Sequence, residues 1–169
     1  MRIIVAADEK WGIGYEGNLL VKIPEDMKHF KELTWGKVVV MGKATFMSLP
    51  GSQPLKNRKN IVLSQDSHFK HDSLTVCNSL EHLFTELTNY DPSEVFIIGG
   101  ESVYRQLLPY CSEALVTKIK RTFQADRYFP NLDLMPSWSI EERSGLKYYD
   151  GLAYEFVKYV NNNTKYLPI

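Results

Sequence analysis

The sequence predicts an α/β fold: a single domain with a central, mostly parallel sheet flanked by helices and an antiparallel hairpin at its C-terminal edge. Three observations predict it. Short β-branched apolar runs alternate with amphipathic stretches along most of the chain. Those runs are apolar at successive positions, as strands covered on both faces must be. The last two runs instead alternate apolar with polar residues, as edge strands do.

Taken in order, Arg2–Ala7 is an apolar run and reads as a buried strand. Residues 24–34 read as a helix. Pro24 fits its first turn, Glu25 and Asp26 sit where acidic groups complement the helix dipole, and Met27, Phe30 and Leu33 recur at helical spacing. Residues 37–41 form a strand and 43–49 a short helix. Strands follow at 60–63 and 74–77, then a helix over 79–87 capped by Ser79. A strand at 94–98 leads into a helix over 101–108 that stops before Pro109, and 114–119 is the next strand. Residues 137–143 and 152–159 form the antiparallel pair. No repeat or Gly/Ser/Pro-rich linker divides the chain, so residues 1–160 are expected to form one domain and 161–169 a tail.

Composition narrows the function. The 20 basic residues balance 20 acidic ones, which argues against nucleic acid or an anionic membrane as a partner. Cys77 and Cys111 are the only cysteines and have no ligand-spaced companions, which excludes a disulfide scaffold and a cysteine zinc site. No metal constellation is present among the four histidines, His29, His68, His71 and His82, which read as surface or helix-face residues. No segment approaches the ~20 apolar residues of a membrane span. A cytoplasmic monomer acting on a small molecule is expected.

In parallel α/β sheets ligands bind beyond the carboxyl ends of the strands, so the residues just after each strand are the ones to weigh. Gly12, Gly14 and Gly17 spell G-x-G-x-x-G, but a loop running into Pro24 follows instead of the helix that a dinucleotide fingerprint opens. Residues 12–20 read better as a mobile loop that closes over a ligand, and a stiffening Gly17→Pro is expected to slow closure or product release more than it changes stability. Gly99 and Gly100 lie between a strand and a helix. They either ease a tight corner or let the backbone cradle a phosphate. Gly42, Lys43, Ala44 and Thr45 make a second such junction, and two together point to a split phosphate site suited to a dinucleotide. Asp26 shares a helix face with Phe30 and Leu33. It is either a helix-end charge or a buried acid whose raised pKa suits proton chemistry. Arg58 is either part of a solvated basic loop with Lys56 and Lys59 or a fork for a carboxylate.

These motifs together resemble the dihydrofolate reductase family over residues 1–160. The matching elements are Ile4-Val5-Ala6-Ala7, Gly12-Ile13-Gly14, Ile23-Pro24-Glu25-Asp26-Met27 with Phe30-Lys31, and Val40-Met41-Gly42-Lys43 with Thr45, Phe46, Ser48 and Leu49. Further matches are Asn57-Arg58-Lys59-Asn60-Ile61-Val62-Leu63-Ser64, Ile97-Ile98-Gly99-Gly100 with Val103-Tyr104, then Thr117, Asp126, Phe129 and Pro130. The resemblance implies NADPH-dependent reduction of 7,8-dihydrofolate to tetrahydrofolate, supplying one-carbon metabolism. It assigns Asp26 to the pterin, where it favours protonation of N5 while hydride reaches C6, and Thr117 to holding that carboxylate. Val5, Ala6, Met27, Phe30, Leu49, Leu55 and Ile98 match pocket-lining positions. Arg58 matches the fork on the glutamate α-carboxylate, with Lys31 beside it.

For the cofactor, the resemblance assigns Ala7 and Ile13 to the nicotinamide carboxamide, and Gly14, Asn18 and Leu19 to the covering loop. Gly42, Ala44, Thr45, Gly99, Gly100, Glu101, Ser102, Val103 and Tyr104 match the pyrophosphate cradle. Lys43, Ser64 and Gln65 match the adenosine 2′-phosphate site. Two positions depart from the family pattern: Val21 stands where the family usually has Trp, and Ser102 where it often has Arg. A reductase of another pterin or pyrimidine, or a non-catalytic NADP-binding module, are the alternatives on the same fold.

Overall fold

The computed structural model describes residues 1–169. Its strands are β1 (Arg2–Ala7), β2 (Gly12–Gly14), β3 (Val38–Gly42), β4 (Lys59–Leu63), β5 (Thr75–Cys77), β6 (Val95–Gly99), β7 (Glu113–Ile119), β8 (Arg127–Tyr128), β9 (Trp138–Arg143), β10 (Lys147–Tyr149) and β11 (Leu152–Asn161). Four α-helices lie between them: α1 (Pro24–Thr34), α2 (Lys43–Ser48), α3 (Leu80–Leu87) and α4 (Glu101–Leu107). One sheet of nine strands runs β10-β11-β7-β1-β6-β3-β4-β5, with β9 also on β11. The pairs from β7 to β5 are parallel, and β11 is antiparallel to β7, β9 and β10.

The unbroken apolar runs have the expected cause, because each central strand is covered on both faces. Ile3, Val5, Val38, Val40, Ile61, Val95 and Ile97 pack with Leu83 and Phe84 of α3 and Val103 and Leu107 of α4. Their alternating neighbours Ile4, Val39, Met41, Val62 and Phe96 join Phe46 of α2, with Phe30 and Leu33 of α1 against them. A third cluster, Ile23, Ile119, Leu152 and Tyr154, seats the start of α1 on the antiparallel edge. Ser79 caps α3 by accepting from the His82 N–H at 3.0 Å. Cys77 and Cys111 are buried and unpaired, and burial pushes the Cys77 thiol up to about 11. No helix is long and apolar enough to cross a membrane.

Several expectations are corrected. The α-helix before Pro109 ends at Leu107, one residue short of the expected bound, and a separate 3-10 turn, Leu108–Tyr110, follows, in whose first turn proline's missing N–H costs nothing. Residues 12–20 are not wholly loop, since Gly12 and Gly14 pair with Tyr128 and Arg127. The Asp8 carboxylate fixes the start of that segment by accepting from the Gly12 and Phe123 N–H groups at 2.8 and 3.0 Å. Gly17 turns the tip with φ +80°, which proline cannot adopt, so Gly17→Pro would strain the turn rather than only stiffen it. At the far end, Lys165 N–H donates to the Pro109 carbonyl and Leu167 packs on the main core.

Candidate active site

The site begins where the sheet parts. β1 pairs with β7 along its whole length, from Arg2–Glu113 to Ala7–Lys118. Its ladder with β6 joins only Arg2 to Phe96 and Ile3 to Ile97. Just beyond, the buried Tyr104 hydroxyl spans the gap and donates to the Ile4 carbonyl oxygen at 2.8 Å. A cleft of about 720 Å³ opens here, past the carboxyl ends of β1, β3 and β6. That is the size of a site for an extended small ligand.

Most of the predicted cofactor contacts lie on its wall. Ile13, Gly14, Asn18 and Leu19 from the segment after β1 line it, with Gly42, Lys43, Ala44 and Thr45 from the end of β3 onward, Gln65 after β4, and Gly99, Gly100, Glu101, Ser102, Val103 and Tyr104 from the end of β6 onward. Val5, Ala6 and Ile98 line it as well. Ala7 and Ser64 do not. Ala7 is buried at the end of β1, and the Ser64 hydroxyl oxygen accepts from the Asp66 N–H at 3.2 Å. The cradle needs its glycines: Gly99 has φ +129°, and a Cβ on Gly100 would lie 3.3 Å from Thr45 Oγ1. A bare backbone at these positions keeps open the space that a pyrophosphate would take, so the residues present fit a dinucleotide.

The resemblance puts Lys43 at the adenosine 2′-phosphate. In the structure its ammonium is already paired with the Asp66 carboxylate at 2.9 Å and lies 5.2 Å from the Phe69 ring centroid. Where the family often has an arginine, the Ser102 hydroxyl oxygen accepts from Gln106 at 2.9 Å.

Asp26, third residue of α1, points toward β7. Thr117 Oγ1 donates to its Oδ1 at 2.6 Å. Burial raises the Asp26 pKa, and the Thr117 hydrogen bond and the nearby His29 oppose that rise without cancelling it. The helix bearing it is tied down at its start, where the Glu25 carboxylate accepts from the Tyr154 hydroxyl and pairs with Lys147 at 3.3 Å. His29 is not a plain surface residue. Its ring stacks on Phe156 at 4.2 Å, and burial lowers its pKa.

The apolar candidates Phe30, Leu49, Leu55 and Ile98 come together on one core cluster. Met27, by contrast, is 51% exposed. Val21 packs on the cluster around Ile23. Arg58 is held rather than solvated: Nη1 donates to Thr34 Oγ1 at 3.2 Å and Nε to the Lys56 carbonyl at 2.7 Å. Arg58 and Lys31 each lie 5.3 Å from the centroid of the Trp35 ring. Sequence reasoning missed Trp35, and it missed Ser79, Leu80, Gln106 and Arg127 on the cleft wall. The rule that ligands meet residues just past a strand, applied to β5, would have found Ser79 and Leu80.

Fold and cleft together define an α/β protein with room for an extended ligand across the carboxyl ends of its strands; Asp26 and Thr117 pair with each other but are not on the cleft wall, where the acidic residue is Glu101. The comparisons agree. The family profile described as Dihydrofolate reductase matches residues 1–161. The chain is 34% identical over 165 residues to dihydrofolate reductase of Bacillus subtilis (strain 168), covering 95% of this chain and 94% of that one. It is 35% identical over 130 residues to dihydrofolate reductase of Staphylococcus aureus, covering 77% of each. Among solved structures, dihydrofolate reductase from Enterococcus faecalis, complexed with NADP(H) and RAB-propyl, superposes with a TM-score of 0.84 at 33% identity, covering 95% of both chains. The chain belongs to the dihydrofolate reductase family of NADPH-dependent oxidoreductases.

Proposed function

We propose that this chain reduces 7,8-dihydrofolate to 5,6,7,8-tetrahydrofolate with NADPH. The observation that carries the reading is the Thr117–Asp26 pair, a partly buried carboxylate held by a hydroxyl, in a chain that also has a glycine-lined cleft past the ends of its strands. When bound, NADPH supplies the hydride that reaches C6 of the pterin.

The chain's own residues do the rest. Asp26 accepts from the 2-amino group and N3 of the pterin and thereby favours a proton at N5, delivered through water. Burial raises its pKa, the direction that suits a group taking part in proton chemistry. Val5, Ala6, Phe30, Leu49, Leu55 and Ile98 exclude water around the rings. Arg58 forks onto the α-carboxylate of the tail, with Lys31 beside it. Ile13 orients the nicotinamide through its backbone, the two glycine junctions hold the pyrophosphate, and Lys43 and Gln65, both on the cleft wall, receive the 2′-phosphate. Zero net charge and two buried free thiols support a cytoplasmic protein with no nucleic-acid partner. With no partner chain needed to complete the cleft, the reading is of a monomer.

Val21 in place of the usual tryptophan favours one second reading, a reductase of another pterin. Purified protein assayed for NADPH oxidation decides between them. Dihydrofolate should be reduced at a far higher kcat/KM than dihydropterins lacking the glutamate tail. Equal use of both would favour the second reading, and no oxidation with either would overturn the proposal.

A further inference from the structure

The cleft wall carries two cations, Lys43 and Arg127. Arg127 lies on β8, paired with the segment around Gly14, so Lys43 alone serves the side formed by β3, α2 and the residues after β4. The Lys43 side chain is half-exposed on the cleft wall, and its Nζ is 2.9 Å from Asp66 Oδ2. Asp66 is itself fixed. Its other oxygen accepts from the His68 N–H at 2.9 Å, its own N–H donates to Ser64 Oγ at 3.2 Å, and Asn78 Nδ2 donates to the Ser64 carbonyl at 3.0 Å. The carboxylate is thus built into the turn after β4 and cannot swing away from the lysine without giving up a backbone hydrogen bond. Asp66 also holds a pKa below the usual carboxylate range, through the Lys43 and His68 hydrogen bonds.

We infer that Asp66 is a specificity-determining residue that tempers this chain's preference for a 2′-phosphorylated dinucleotide over its unphosphorylated counterpart. The inference rests on the proposed function, in which Lys43 meets the 2′-phosphate. The physics is a competition. A phosphate dianion arriving at Lys43 must share an ammonium whose charge is already balanced, and it then lies close to a fixed carboxylate. A ribose hydroxyl suffers neither penalty and can itself donate to a carboxylate, which is how dinucleotide sites elsewhere favour a free 2′-hydroxyl. Ser102 carries no charge, and Arg127 sits on β8 opposite Gly14 with its Nη1 donating to the Asp126 carbonyl.

The test is calorimetric titration of NADP⁺ and NAD⁺ into the parent protein and into Asp66→Asn, with Lys43→Gln as the opposite control. Asp66→Asn should tighten NADP⁺ binding about fivefold, the equivalent of ~1 kcal/mol between unit charges about 4 Å apart in water. It should leave NAD⁺ within about twofold of the parent. Lys43→Gln should weaken NADP⁺ by a similar factor and again spare NAD⁺. If both nucleotides bind but their affinity ratio does not move in Asp66→Asn, the inference is overturned and the proposed function stands. If the parent binds neither nucleotide, both fall.

Discussion

Thr117 on β7 donates its hydroxyl proton to Asp26 on α1 across 2.6 Å, joining two residues 91 positions apart. The donor stabilises the ionised carboxylate, while burial works against it and wins. Thr117→Val removes the opposing effect, so the Asp26 pKa should move further up. Carboxyl-carbon NMR of the parent and the variant checks this, and an unmoved titration would count against it.

The same balance has a sign in stability. Asp26 is harder to ionise in the folded than in the unfolded chain. Its contribution is therefore most favourable in acid and is lost as pH rises through the folded-state pKa. Asp26→Asn should raise the urea midpoint at neutral pH, on the order of 1 kcal/mol. That advantage should shrink as pH falls toward 3.8, the ordinary aspartate value.

Trp35 gathers Arg58 and Lys31 over one indole, and neither cation has an acidic partner, which leaves both for an anionic tail. Trp35→Leu should raise KM for dihydrofolate several-fold with kcat kept, since each exposed cation–π contact is worth ~0.5–1 kcal/mol. Trp35→Phe should restore most of it. Kinetics on a substrate without the glutamate tail should show no change.

Gly99 holds φ +129°, and a Cβ there would stand 3.4 Å from the Tyr104 ring. Gly99→Ala should cost about 1–3 kcal/mol, read by urea unfolding. It should also weaken nucleotide binding, because the same backbone lines the cleft.

The parallel core was legible because its strands are apolar on both sides. Runs such as Arg2–Ala7 cannot face water on either face, and α1 announced itself through Pro24 and the Met27–Phe30–Leu33 spacing. β2, β8 and β10 were not legible. They are two or three residues long, and their pairing is set by tertiary contacts such as Gly14 with Arg127 and Lys147 with Tyr154. Asp26 and the glycine junctions stood out because carboxylates on apolar faces and glycines after strands are local patterns. What surrounds them did not. The Lys43–Asp66 pair spans 23 residues, and Trp35 meets Arg58 only because the Gly36 N–H donates to the Asn57 carbonyl at 2.8 Å, bringing the end of α1 to the loop before β4.

The single-turnover rate of hydride transfer from NADPH to dihydrofolate, followed across pH for the parent and Asp26→Asn, probes the carboxylate's role most directly. The variant should be slower by about 10²-fold or more at neutral pH and should close on the parent in acid, where solvent protonates N5 without help. Equal rates at neutral pH, or one pH dependence shared by both proteins, would contradict a role for Asp26 in the proton step.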